Sequence, residues 1–160
     1  MASPKNDFQL NPIGIIHSPY KERGDAPRQG RPSDTISEIE VYEQFADGLL
    51  KADKASHLIV LYWGDRSNRN VLQSGTPFSE TPVGVFATRS PNRPNPIAFC
   101  IAEILKIEGN RLTVRGVDAL EGSPLLDLKV YSAQIDSVPE ARNTHIPPVP
   151  PEVLATPHGK

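Results

Sequence analysis

Residues 97–120 read IAFCIAEILKIEGNRLTVRGVDAL, and the fold class turns on them. Apolar and β-branched residues crowd both halves, and Gly109-Asn110 sits between them. Both turn residues tolerate positive φ, the signature of a two-residue hairpin. The segments 97–109 and 111–120 are therefore predicted to be neighbouring antiparallel strands. Working outward, 57-HLIVLYWG-64 reads as a strand buried on both faces, and 83-VGVFATR-89 as a further strand. The turn 121-EGSP-124 leads into another, 126-LDLKVYSA-133. Upstream, 8-FQLNPIGIIHSP-19 and 38-EIEVYEQF-45 complete the set, the latter running into a short helix at 46-ADGLLKAD-53.

Two long polar loops separate these elements, at 20–35 and 65–82. Structureless loops of such length are usually functional or disordered. Nearly every element is a strand, and an open sheet must manage two bare edges. The expected architecture is mainly β: a small, closed or nearly closed antiparallel β-barrel with one short helix, over residues 1–136. Residues 137–160 form an expected proline-rich C-terminal tail, extended and peripheral.

Composition narrows the function classes. The chain has 160 residues, 38% hydrophobic and 22% charged, with a formal net charge of -2, so bulk nucleic-acid binding is not advertised, although a local basic patch is compatible with it. One cysteine, Cys100, excludes an internal disulfide. His17, His57, His145 and His158 show no metal-ligand spacing, and no metal site is expected. The absence of a signal-like or membrane-length apolar run points to a soluble, cytoplasmic protein. Seventeen prolines is about twice the usual ~5% share, which disfavours long helices.

Three motifs carry candidate chemistry. In 88-TRSPNRPNPIAF-99 three prolines fall within six positions. Each fixes its own φ and restricts the residue before it, so the segment is stiff before folding. Arg89 and Arg93 on so rigid a loop suit carboxylate or phosphate oxygens, while a plain rigid linker is the competing reading. In 27-PRQG-30, arginine and glutamine can contact a planar polar ligand, or form an ordinary turn. In 118-DALEGSPLLD-127, the turn exposes backbone donors and acceptors beside apolar walls, a combination that recognises adenine, or a simple β-turn. Asp118 and Asp127 read as structural, Cys100 as core, and Tyr62 and Trp63 as core residues that could stack on a base at a strand end. No nucleophile–base pair, P-loop or Rossmann glycine fingerprint is present, which argues against hydrolase, kinase and dehydrogenase readings.

Taken in order, 14-GIIHSPYKERGDAPRQG-30, 57-HLIVLYW-63, 84-GVFATRSPNRPNPIA-98 and 116-GVDALEGSPLLDLKVY-131 resemble the TsaA-like family across about residues 8–136. The resemblance implies a small β-barrel, usually a homodimer, that binds S-adenosyl-L-methionine and methylates the exocyclic nitrogen of a threonylcarbamoyl-adenosine beside the tRNA anticodon. It implies a cofactor site at Arg28, Gln29, Gly30, Gly64, Asp65, Arg89, Phe99, Ile101, Leu120, Glu121, Gly122, Ser123 and Pro124. Arg93 and Asn95 would shape the loop or approach the ligand, and Arg23, Arg31, Arg66 and Arg69 could join Arg28 in steering phosphates. Gly64 and Asp65 stand where the family often has a Phe-His pair, and Ala98 where its block commonly has glycine. The longer bacterial members carry a further C-terminal domain, whereas this sequence closes on its proline-rich tail. No catalytic base is assigned. A small-molecule acceptor, or a module that binds the cofactor without catalysis, stands as the alternative.

Overall fold

A computed structural model of the chain describes residues 8–76 and 79–157. His158 and the first seven residues lie outside the described residues. The strands are β1 (Gly14–His17), β2 (Ile36–Val41), β3 (His57–Trp63), β4 (Gln73–Thr76), β5 (Ser79–Gly84), β6 (Ile97–Glu108), β7 (Arg111–Arg115) and β8 (Ser123–Val130). Two short helices follow, α1 (Ala133–Asp136) and α2 (Pro151–Ala155). Six strands close an antiparallel barrel in the order β1-β2-β7-β6-β3-β8, while β4 and β5 form a separate two-stranded hairpin.

The hairpin read from Gly109-Asn110 is present. Glu108 pairs with Arg111, and Gly109 takes φ +60° at the turn. Asn110 then does a second job: its side-chain amide donates to the Val41 carbonyl at 2.7 Å, and its carbonyl accepts from the Val41 amide at 2.9 Å. The turn thus tethers β2 to the β6–β7 pair.

Side-chain alternation explains the core. Ile16, Ile39, Val41, Leu58, Val60, Leu112, Val114 and Leu125 point inward from their strands and are essentially inaccessible to solvent. Small barrels are filled in this way, with inward residues alternating along every strand. Small or polar residues complete the inner lining, with Cys100 and Ala102 on β6 and Ser123 on β8. The clefts described below open at the ends of this packed interior.

Several boundaries differ from the sequence expectations, each for a local reason. The first strand is confined to Gly14–His17, because a proline at 12 and another at 19 bracket it. β3 buries Leu58, Val60 and Tyr62, but Ile59, Leu61 and Trp63 on its outer face are only half-buried, so it is not enclosed on both faces. The segment expected as a helix at 46–53 is two 3-10 turns, Glu43–Leu49 and Ala52–Lys54, separated at Lys51 by a left-handed φ of 72°. The expected strand at 83–89 ends at Gly84, and Val85–Ala87 turns away as a 3-10 helix. The polar stretch 65–82, expected to be loop, contains β4 and most of β5. β7 stops at Arg115, since Gly116 takes φ +96°. Of the tail, α2 and the residues after it dock on the chain itself: the Gln29 amide donates to the Leu154 carbonyl at 3.0 Å, and Pro27 bridges Pro157.

Leu112 is fully buried at the centre of the barrel. Leu112→Ala is expected to lower unfolding free energy by ~2–5 kcal/mol, with the urea m-value unchanged. Urea denaturation followed by circular dichroism checks this.

Candidate functional site: an arginine-rich cleft at one barrel end

Antiparallel pairing brings the C-terminal end of β3 beside the N-terminal end of β6, with Trp63 opposite Ile97. The same end receives the start of β8, where Leu125 lies opposite Tyr62. The loops leaving this end enclose a cavity of about 330 Å³. Three walls define it: the 26–29 loop, the 88–93 loop and the 118–123 connection. A second cavity, of about 430 Å³, lies near the 3-10 turns beside Ile13, Phe45 and Leu49, and its lining is mostly aliphatic. Convergent polar groups mark the first as the candidate site, since orientation and specificity come from a few placed polar groups in an apolar cleft.

Of the residues singled out from sequence, the cleft gathers Arg28, Gln29, Gly64, Asp65, Arg89, Arg93, Phe99, Leu120 and Ser123. Gly30, Ile101, Glu121, Gly122, Pro124 and Asn95 sit behind that lining. A Cβ on Gly30 would collide with the Gly116 carbonyl, so this glycine lets the arginine-bearing loop press onto the 116–118 backbone. Ile101 pairs with Ile59 inside the sheet. Gly122 takes φ +81° and donates its amide to the Ile16 carbonyl at 2.9 Å. Pro124 pairs with Ile15. Gly64 is hemmed in as well: its amide bonds the Pro96 carbonyl at 2.8 Å, and a Cβ there would lie 2.7 Å from Ser67 Oγ.

The proline-rich loop is held by arginines as well as by its prolines. Arg93 donates to the carbonyls of Thr88 and Ser90, each at 3.1 Å, and of Val85 at 3.0 Å. From outside, Arg69 donates to the Pro94 carbonyl at 2.7 Å and to Asn95 Oδ1 at 3.3 Å, with its guanidinium 5.1 Å from the Trp63 ring. Trp63 therefore packs under Arg69. Arg89 donates to the Phe99 carbonyl at 3.2 Å, and its guanidinium stands 5.1 Å from the Phe99 ring. Arg66 donates to the Glu121 carbonyl at 2.9 Å, tying the β3 end to the 118–123 wall. Arg28 bonds Thr156 Oγ1 at 3.1 Å, yet its Nε is buried and unpartnered.

The floor holds a cluster that sequence reading did not assemble. Asp118 Oδ1 accepts from Tyr62 Oη at 2.7 Å and from Cys100 Sγ at 2.8 Å. Burial, reinforced by the Asp118 carboxylate, pushes both the Tyr62 phenol and the Cys100 thiol well above their ordinary values, so both remain protonated donors at neutral pH. Cys100 is buried core, as expected, and is also a donor. Asp127 lies apart from this floor and pairs with Lys129 at 2.8 Å. Inward alternation on β3 and β6 is the available signal, because it turns Tyr62 and Cys100 to the same barrel interior.

Behind the 118–123 wall, His17 bridges Glu40 at 2.8 Å and Glu121 at 3.1 Å. Hydrogen bonds to Glu40 and then Glu121 raise the His17 pKa above its usual value. Glu40 is lowered chiefly by His17, and Glu121 chiefly by the Ser18 amide, which bonds it at 2.6 Å.

The profile of the family described as the tRNA-methyltransferase O N-terminal domain matches residues 15–137. A protein of Archaeoglobus fulgidus named S-adenosyl-L-methionine-binding protein is 54% identical over 129 residues, covering 81% of this chain and 93% of the relative. The tRNA (adenine(37)-N6)-methyltransferase of Escherichia coli (strain K12) is 29% identical over 161 residues, covering 94% of this chain and 68% of the relative. The crystal structure of TrmO from Pseudomonas aeruginosa matches with a TM-score of 0.73 at 30% identity, covering 86% of this chain and 61% of the other. This chain thus spans about three-fifths of the length of that solved structure.

Two outcomes follow from the geometry. The His17 contribution to stability is fully present below its unfolded value of about 6.5 and is lost as pH rises through the higher folded value. The melting-temperature deficit of His17→Gln should therefore be larger at pH 6 than at pH 9, as read by differential scanning calorimetry. Arg93→Ala removes three loop-bracing bonds, and the loop amides at 88–93 should exchange with deuterium at least ~10-fold faster while the barrel strands are unchanged.

Proposed function

The chain belongs to the family of the tRNA-methyltransferase O N-terminal domain, and on that premise we propose that this cleft binds S-adenosyl-L-methionine for methyl transfer to an acceptor nitrogen. The observation that carries the reading is the arginine-bearing, proline-braced 88–93 loop facing the Leu120–Ser123 turn across a cavity of ligand size. The residues fit the cofactor. Arg28 offers a buried Nε with a donor to spare, and Arg89 a guanidinium at the cleft wall, both suited to a carboxylate. The turn supplies backbone groups and Leu120 an apolar surface, suited to a purine. When bound, the sulfonium supplies an already activated methyl group. The protein's own task is then to align the acceptor and exclude water.

The acceptor we propose is the exocyclic nitrogen of a modified adenosine beside the anticodon of tRNA. The name of the Escherichia coli relative and the family profile support this reading. An anticodon-loop base can be splayed out for such chemistry. Arg23 and Arg66 at the cleft mouth, with Arg69 nearby, are placed to steer phosphates toward it. A cytoplasmic homodimer is part of the same proposal. Among the described residues no helix is long and apolar enough to cross a membrane.

Isothermal titration with S-adenosyl-L-methionine, with transfer of labelled methyl to threonylcarbamoylated tRNA, tests both halves. Arg89→Ala is expected to weaken cofactor affinity ~10-fold or more while leaving the melting temperature within a few degrees. Cofactor binding with label reaching only a small molecule would replace the tRNA half with the small-molecule acceptor that Gly64 and Asp65 motivate, and label reaching no acceptor would replace it with the non-catalytic module that the unassigned base motivates. No binding would sink both.

A further inference from the structure

Asp118 raises a question that the cofactor reading leaves open. It lines the cleft floor, partly shielded from water, and its Oδ1 already takes two donors, a phenol and a thiol. Both donors are neutral. Among the described residues Asp118 has no ion-pair partner. Asp65, the other carboxylate of the lining, is paired with Arg66 at 3.3 Å. Arg89 is turned to the Phe99 carbonyl and ring, and Arg93 is committed to three carbonyls. A shielded carboxylate without a counter-ion is costly to hold. Two fixed donors on one oxygen orient the group and leave Oδ2 to the cavity.

We propose that Asp118 is the cation-recognising residue of the cleft, its Oδ2 facing the sulfonium centre of the bound methyl donor. The inference rests on the cofactor reading above and adds the means by which the site tells methyl donor from spent product. Arginines serve the carboxylate end of the ligand but repel its positive sulfur. One carboxylate at the floor offsets that repulsion, and only while the sulfur is charged. Loss of the methyl group leaves a neutral thioether, and the attraction disappears with the charge. Selectivity for donor over product is then built into the charge of one side chain. Tyr62 and Cys100 act as positioning residues that hold the carboxylate plane.

The test is a ligand panel on the purified full chain by isothermal titration. It comprises S-adenosylmethionine, S-adenosylhomocysteine, and the analogue with an amine-bearing carbon in place of the methylsulfonium. Wild type should bind the two cationic ligands at least ~10-fold more tightly than the thioether. Asp118→Asn keeps an acceptor for Tyr62 and Cys100 and should abolish that preference, with thioether affinity unchanged within about two-fold. Asp118→Glu, which retains the charge, should keep a preference of the same sign. Equal loss for all three ligands in Asp118→Asn would overturn the proposal, because it would mean that the carboxylate meets the α-ammonium or only supports the wall. A wild-type preference near one would overturn it without any variant, so a folding failure of the substituted protein leaves the question decidable. Failure of wild type to bind any of the three would instead refute the cofactor reading beneath it.

Discussion

Four residues close this molecule. Gly14 to His17 pair with β2 on one side, and Gly14 to Ile16 pair with β8 on the other; without them the other five barrel strands would be an open sheet with two bare edges. The closure is tight, because a Cβ on Gly14 would collide with the Glu40 carbonyl. Everything at the functional end hangs from this seam. The β1 end carries His17, which grips Glu40 on β2 and Glu121 on the 118–123 connection. The same strand takes the Gly122 amide on the Ile16 carbonyl. One wall of the cleft is thus fastened to the strand that shuts the barrel.

The remaining walls are fixed by a different economy of bonds. Arginine side chains, which would ordinarily be read as ligand-seeking, divide between two tasks. Arg93 and Arg69 satisfy backbone carbonyls of a loop that prolines have deprived of its own donors. Arg23, Arg28, Arg66 and Arg89 line the cavity, and Arg93 does so as well as bracing its loop. Stiff geometry is what an alignment catalyst needs, since small misplacements of reacting atoms are costly.

Much of this was legible in the residues, and the parts that were not share a cause. The continuous apolar run at 57–63 and the apolar, β-branched segments on either side of the Gly109-Asn110 turn specify barrel strands through burial, and burial is what sequence patterns record. The β4–β5 hairpin was missed because its ladder is built from QSGT and SETPVG, segments without an apolar face. The turn at Val85–Ala87 looks like strand in sequence because Val85 and Phe86 resemble core residues, although Phe86 is largely exposed. Sequence spacing sets Asp118 beside Asp127 across one turn, whereas its contacts come from residues 56 and 18 positions away. The docking of 154–157 on the 27–29 loop is equally nonlocal, and proline content by itself predicts extension, not a docking partner.

The central claim is that one end of the barrel, and not the aliphatic cavity beside Phe45, holds the methyl donor. Amide hydrogen exchange of the whole chain with and without S-adenosyl-L-methionine tests this most directly. The account predicts slowed exchange at 26–30, 64–67, 88–99 and 118–123, with 43–55 unchanged. Protection confined to 43–55, or no protection at saturating ligand, would contradict it.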